Sequence, residues 1–316
     1  MSKFTDKFSR LKPEVDTGYS STASGRFLNS NGVPNVKRSG LSPLEKYSWY
    51  HVMINLNGRK FIILLLLAYI GINIIFAFIY YFIGIEHLTG IDHSVLKNEF
   101  VDVFFFSSQT FTTVGYGRIA PVGFLASLVA TFEAFIGLLF FAIATGLFYG
   151  RFSRPRAFLK FSKNAVIAPY QEGSALMFRL APFKNNLLTD AQVFLNVAIS
   201  NRDQNDSQTE FFNLNTELSK INALVLNWTV VHKIDKDSPF FENSEELLKS
   251  TNVELFVQIR AFDEGFASTV VQRTSYTSDE IIFGAKFLPM FQPSLNHETT
   301  VLNLDKIGDF EKVNLP

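Results

Sequence analysis

Two apolar runs limit what this chain can become: Phe61 to Ile83, and about Phe124 to Phe148. Each reaches the roughly 20 residues that a helix needs to cross a bilayer. Asn73 is the main polar interruption of the first run, and it is expected to face protein rather than lipid. Arg59-Lys60 precede the first run and Arg151, Arg154, Arg156, Lys160 and Lys163 follow the second, whereas the stretch between is poor in positive charge. By the positive-inside rule both termini lie in the cytoplasm and the chain is a multi-pass protein of the cell (plasma) membrane. The sequons at Asn205 and Asn227 then have no bearing on glycosylation.

Between the runs, Glu99 to Phe111 reads as a helix too short to span, ending at Thr112-Thr113-Val114-Gly115-Tyr116-Gly117. Gly115 and Gly117 can adopt dihedrals closed to L-residues, which turns consecutive carbonyls to one side of the strand. Thr113 can add a hydroxyl oxygen, while Val114 and Tyr116 are expected to wedge against surrounding aromatics. Carbonyl rings of this kind replace the water shell of a potassium ion. The carboxyl end of the short helix would direct partial negative charge at the same cation. One chain supplies one wall, so the motif implies a ring of four copies, a homotetramer. A Gly-Tyr-Gly turn alone carries little weight; a membrane span on each side makes this one a candidate selectivity filter. Pro121 ends the filter loop.

Composition narrows the function classes. The 316 residues are 47% hydrophobic and 18% charged, with a net charge of +0, so there is no nucleic-acid footprint. That length suggests about two domains. The absence of cysteine excludes disulfides and Cys-based metal sites. His51, His87, His93, His232 and His297 share no metal-ligand spacing. No Walker loop, G-x-G-x-x-G after a strand, or G-x-S-x-G elbow is present, which argues against an enzyme and against a nucleotide-binding regulatory domain. Neither span carries regularly spaced arginines, so there is no voltage sensor. Potassium is expected as a permeant ion, with no cofactor and no metal beyond it.

The chain divides into four parts. Residues 1–40, rich in Ser, Asn, Gly, Thr and Lys, read as a disordered cytoplasmic tail. Residues 41–58 read as a helix lying in the membrane boundary, starting at Ser42-Pro43 and carrying Trp49. Residues 59–152 are the transmembrane pore domain. Residues 153–316 are the cytoplasmic domain; from about Phe161 onward the period is two, with β-rich runs at Ala191–Ile199, Ala223–Val231, Val253–Ala261, Ser268–Tyr276 and Thr300–Leu304. One short helix is expected from Asn243 or Ser244 through Leu248. The predicted fold is an α+β membrane protein: two transmembrane helices with pore helix and filter loop, followed by a cytoplasmic immunoglobulin-like β-sandwich. Gly137 and Gly146 are candidate bending points of the second span. Glu133, its one carboxylate, is expected to face the pore helix and brace the back wall of the filter.

The chain resembles an inward-rectifier potassium channel, most closely the prokaryotic branch, from about Tyr47 to Asp305. The residues that carry the likeness are Trp49-Tyr50-His51, Asn73 with Phe76-Ala77, the filter, and Ala144-Thr145-Gly146-Leu147 with Arg151-Phe152-Ser153-Arg154-Pro155. Further on come Leu176 to Leu180, Val231 to Pro239, and Arg273-Thr274-Ser275-Tyr276 with Asp279-Glu280-Ile281.

The resemblance implies a tetramer gated by anionic lipids such as phosphoinositides, with Arg59, Lys60, Arg151, Arg154, Arg156 and Lys160 as candidate headgroup ligands. It places a hydrophobic gate at Tyr149. Phe141 lies eight residues earlier, roughly 80° further round the helix, and is a second candidate. It assigns Asp190 and Glu264 to the cytoplasmic pore, and Gly265, Phe266 and Ala267 (with Ser268) to a narrow loop at its top. Strong rectifiers of the family resemble one another in having an acid or amide where this chain has Phe141. Block by Mg2+ or polyamines is therefore expected to be weak or moderate. Many relatives pair a Glu with a basic residue behind the filter; here those positions hold Gln109 and Arg118, candidate brace residues in which an amide can still hydrogen-bond where the family has an ion pair. Two other readings use the same residues: a membrane-anchored sandwich that senses lipid or binds partners without conducting, and a poorly selective cation pore.

Overall fold

The computed structural model describes residues 25–40, 42, 48–91, 99–201, 209–241, 245, 248, 251–293 and 299–316. Two compact units result: Ser39–Arg154, and the segment up to Arg38 together with Pro155–Pro316.

In the first unit, helix α1 (Trp49–Asn55) opens on Ser48, whose hydroxyl accepts the His51 amide at 3.4 Å. Of the start expected at Ser42-Pro43, Pro43 lies outside the described residues. Trp49 and Tyr50 are exposed and Ile54 is buried. Helix α2 (Gly58–Ile83) has 26 residues, a length of about 39 Å at 1.5 Å per residue. Its buried Asn73, Phe76, Ala77 and Tyr80 fall three or four apart, on one stripe. Phe76, Ala77 and Tyr80 pack against Val103 and Phe106 of helix α3 (Glu99–Phe111). Ile62, Ile63, Leu66, Leu67 and Phe82 remain exposed, an apolar surface that water does not tolerate at this extent. Helix α4 (Phe124–Phe152) runs four residues past the expected end. Both α2 and α4 are long and apolar enough to cross a membrane.

Strands β1 (Leu88–Thr89) and β2 (Ala120–Pro121) pair antiparallel, Leu88 with Pro121 and Thr89 with Ala120. Val122 N donates to His87 O at 2.7 Å beside them. This clip joins the two ends of the segment that carries α3 and Thr112 to Gly117.

The second unit is a β-sandwich. Its strands, in chain order, are β3 (Leu159–Phe161), β4 (Ala165–Tyr170), β5 (Gly173–Pro182), β6 (Leu188–Asn201), β7 (Glu210–Asn213), β8 (Lys220–Leu224), β9 (Trp228–Ile234), β10 (Thr251–Asp263), β11 (Ser268–Thr277) and β12 (Ile281–Phe283). One sheet runs β11-β10-β6-β7 with β8 also on β6; the other runs β12-β4-β5-β3 with β9 on β5. Alternate residues of each sheet fill the space between them: Leu176, Phe178 and Leu180 from β5 meet Val193, Leu195, Val197 and Ile199 from β6 and Leu255, Val257 and Ile259 from β10. Strands β13 (Ala285–Phe287) with β16 (Phe310–Lys312) and β14 (Phe291–Pro293) with β15 (Thr300–Leu302) form two further ribbons.

Three expectations change. The single strand over Ala223–Val231 is two strands, because the chain leaves β8 on one sheet and enters β9 on the other. The short helix expected from Asn243 or Ser244 through Leu248 falls mostly outside the described residues; Glu245 and Leu248 are helical. The tail is not free along its whole length. Leu28 is buried and bridges Pro34, and the Glu254 carboxylate accepts the amides of Phe27 at 2.6 Å and Leu28 at 2.9 Å. Arg26 pairs with Glu280 at 3.1 Å and donates to Ser275 O at 2.9 Å. A polar composition hid these fixings, since one buried leucine and one arginine provide them.

Candidate selectivity site

The candidate filter segment, Thr112 to Gly117, begins where α3 ends, and its backbone is hydrogen-bonded to the last turns of that helix. Val114 N and Gly115 N both donate to Gln109 O, at 3.0 and 3.2 Å, and Thr112 Oγ1 donates to Ser108 O at 2.8 Å. Thr113, Gly115 and Gly117 have positive φ of 58°, 51° and 77°, whereas Val114 and Tyr116 do not. Alternation between left- and right-handed residues turns successive carbonyls to one side of the strand. Two of the left-handed positions are glycines; Thr113 is an L-residue in a conformation that costs about 1–2 kcal/mol. Val114 and Tyr116 do not wedge against aromatics within one chain; they are 54% and 77% exposed.

The back wall is polar at its centre. Glu133 is fully buried; it accepts from Tyr80 Oη at 2.7 Å and shares a hydrogen bond with Ser107 Oγ at 2.5 Å. Asn73, also fully buried, donates through Nδ2 to Tyr69 O at 2.7 Å, and Tyr69 Oη meets Ser108 Oγ at 2.5 Å. Glu133 thus faces α3, as its angular offset of about 160° from Tyr149 requires. No side-chain hydrogen bond joins Gln109 to Arg118 among the described residues; Gln109 acts through its backbone carbonyl. Arg118 O lies against Gly90, where a Cβ would stand 1.8 Å from it.

Gly137 departs from the role of a bend. A Cβ there would meet Phe111 O at 1.9 Å, so the residue lets α4 approach the end of α3. Gly146 has nothing within 4 Å of its Cβ position and stays available for bending. Phe141 packs near Phe111, ring centroids 6.3 Å apart, with 44% of its surface exposed; Tyr149 is 75% exposed.

The basic candidates separate. Arg151 is engaged at the carboxyl end of α1, donating to Met53 O and Ile54 O at 3.4 and 3.3 Å and lying 5.2 Å over the Phe61 ring. Arg154 donates to Asn55 Oδ1 at 2.8 Å. Arg59 and Lys60 are exposed at the start of α2. Arg156 and Lys160 belong to the other unit; Arg156 is exposed and Lys160 lies 3.5 Å from Asp305.

In the sandwich, Asp190 sits at φ 50° and pairs with Lys220 at 2.8 Å, which offsets the negative charge expected of it. Glu264 and Gly265 are exposed, Phe266 is 48% exposed and Ala267 has φ 47°. Sequence reading missed Asp263, a buried acid that accepts Phe266 N at 3.1 Å and Asn186 Nδ2 at 3.3 Å and so shapes this loop. Its signal was an acid ending an otherwise alternating apolar strand.

Residues 61–154 match the ion channel family model, and residues 159–316 match that of the inward rectifier potassium channel C-terminal domain. These are ion-channel families, not enzyme families. The inward rectifier potassium channel Kirbac3.1 of Paramagnetospirillum magnetotacticum is 35% identical over 271 residues, covering 84% of this chain and 89% of that protein. The human G protein-activated inward rectifier potassium channel 4 is 26% identical over 294 residues, covering 84% of this chain and 68% of its own length. With both units matched in order and a relative of this identity nearly covered, the chain belongs to the inward-rectifier potassium channel family, on its prokaryotic branch.

Proposed function

We propose that four copies of this chain form a potassium-selective pore in the cell membrane, both termini in the cytoplasm, with anionic lipid at the inner surface gating it. The alternating backbone at Thr113, Gly115 and Gly117 carries this reading, because it aligns the oxygens of Thr112 to Gly117 for a dehydrated monovalent cation. Val114 and Tyr116, exposed in one chain, gain cover from neighbouring copies. Tyr149, with Phe141 above it, closes the inner end of the path by dewetting. In the membrane unit, Arg59 and Lys60 are exposed cations available to a phosphoinositide-like headgroup. Arg151 and Arg154 position α1 instead. Mg2+ and polyamine block is weak to moderate, since Phe141 offers no charge and Lys220 offsets Asp190.

The test is flux from liposomes holding the purified full chain. Rubidium passes in preference to sodium, barium blocks it, and phosphoinositide changes the rate. Absence of flux rejects the pore; equal rubidium and sodium flux rejects the selectivity.

A further inference from the structure

The donors and acceptors behind the candidate filter are short of one proton if Glu133 is counted as a carboxylate. Ser107 Oγ lies 2.5 Å from Glu133 Oε1 and 3.2 Å from both Asn73 O and Asn73 Oδ1. A hydroxyl has one proton to give. The orientation of Asn73 is fixed by its Nδ2, which donates to Tyr69 O at 2.7 Å, so Oδ1 is the acceptor turned toward Ser107. Glu133 Oε2 already accepts from Tyr80 Oη.

With Glu133 as a carboxylate, Ser107 would give it that proton, and Asn73 Oδ1 would face a lone pair; Asn73 O, inside α2, has the helix amide four residues on. With Glu133 as a neutral acid, Oε1–H donates to Ser107 Oγ and the Ser107 proton goes to Asn73. The donors then run in one direction: Tyr80 to Glu133, Glu133 to Ser107, Ser107 to Asn73 Oδ1, Asn73 Nδ2 to Tyr69 O. Asn73, Ser107 and Glu133 are fully buried. No cation pairs with Glu133 among the described residues. A buried polar network is stable when each member is satisfied, and an unpaired buried charge is not.

We propose that Glu133 is a neutral, proton-carrying positioning residue, the centre of a directed hydrogen-bond chain that ties the pore helix to both spans. The chain acts on the filter through α3: Ser107 precedes Gln109 by two residues, and the Gln109 carbonyl holds the amides of Val114 and Gly115. The effect on selectivity rests on the filter reading above; the protonation state does not.

Infrared difference spectra of the full chain in liposomes, wild type minus Glu133→Gln, test the proton. The expected difference is the carbonyl stretch of a protonated carboxylic acid, moved in Ser107→Ala because the acid loses its acceptor. Carboxylate bands in its place overturn the proposal. In the same liposomes, Glu133→Leu lowers the rubidium-over-sodium preference by about fivefold or more, as the loss of buried hydrogen bonds implies. Glu133→Gln, whose amide donates to Ser107 and accepts from Tyr80, recovers most of that preference. A Glu133→Leu protein with wild-type preference overturns the positioning role. Should Glu133→Leu fail to assemble, the spectra of Glu133→Gln and Ser107→Ala decide. Wild-type liposomes without flux would sink the filter reading and leave the spectra to judge the proton.

Discussion

Adding one methyl group at Gly137 separates close approach from bending. Its Cβ would lie 1.9 Å from Phe111 O, 2.8 Å from Phe111 C and 3.2 Å from Phe111 Cα. Carbon settles against a carbonyl oxygen at about 3.3 Å or more, so α4 and the end of α3 must part by roughly 1.4 Å. All three obstructing atoms are backbone, and no rotamer change relieves them. Overpacking of this kind costs about 1–3 kcal/mol, and the gain of about 1 kcal/mol from replacing a helical glycine by alanine offsets only part of it. Because Phe111 is followed directly by the filter, the displacement reaches Thr112 and Thr113. Gly137→Ala is therefore expected to lower the melting midpoint of the detergent-solubilised full chain and to reduce rubidium-over-sodium discrimination in liposomes. Gly146→Ala meets nothing within 4 Å and should hold or raise the midpoint. A Gly137→Ala protein with wild-type midpoint and discrimination would refute the close-approach reading and return Gly137 to the role of a hinge.

Other perturbations test the remaining assignments. Lys220→Ala removes the partner of Asp190 and is expected to tighten Mg2+ and polyamine block several-fold, while stability changes by less than about 1 kcal/mol because the pair is exposed; unchanged block would exclude Asp190 from the cytoplasmic pore. Arg59→Ala with Lys60→Ala should weaken binding to anionic vesicles by about 2 kcal/mol, roughly thirtyfold, whereas Arg151→Ala should change stability more than vesicle binding; the reverse order would restore Arg151 as a lipid ligand. Burial holds the His232 imidazole below its ordinary value, against the opposing hydrogen bond to Asn215 O and the charge of Asp235. The unfolded chain then binds the extra proton first, so the sandwich loses stability as pH falls through the ordinary imidazole value toward the depressed one, and hydrogen exchange of β9 against pH should show this loss in wild type but not in His232→Gln. Glu254→Gln weakens the hold on Phe27 and Leu28 by about 1–3 kcal/mol and should open the 26–35 segment to protease; an unchanged digestion pattern would deny Glu254 that role.

The spans, the pore helix and most strands were legible because their signals are periodic and local. Asn73, Phe76, Ala77 and Tyr80 repeat at helical spacing, and Val253 to Ala261 alternates as a half-buried strand does. The break between Leu224 and Trp228 was not legible, since changing sheets requires no Gly or Pro when a short irregular stretch suffices. The docking of Arg26, Phe27 and Leu28 depends on Glu254, Ser275 and Glu280, more than 220 positions away, and no local pattern encodes it. Gly137 shows the same limit from the other side. A glycine in a long helix has two uses, bending and close approach, and only the position of Phe111 O decides between them. The basic residues at and beyond the end of α4 illustrate it again: five cations read as one cluster, yet Arg151 and Arg154 are occupied by α1.

Within one subunit, every described hydrogen bond to the filter backbone acts on its helix-facing side. The Gln109 carbonyl takes two amides, Thr112 is tied to Ser108, and the β1–β2 clip closes the loop behind. Among the described residues no hydrogen bond reaches the other side of this backbone, and Thr113 holds a left-handed conformation that its own side chain disfavours. An L-residue stays in such a conformation only where the surroundings over-determine it. On the proposed fourfold reading, four strands of like-oriented carbonyl dipoles repel one another until a cation stands between them. The same reasoning explains why the polar brace at Glu133 is buried rather than placed on the axis. A carboxyl group at the front would compete with the carbonyls for the cation, whereas one at the back can hold the pore helix without touching the path.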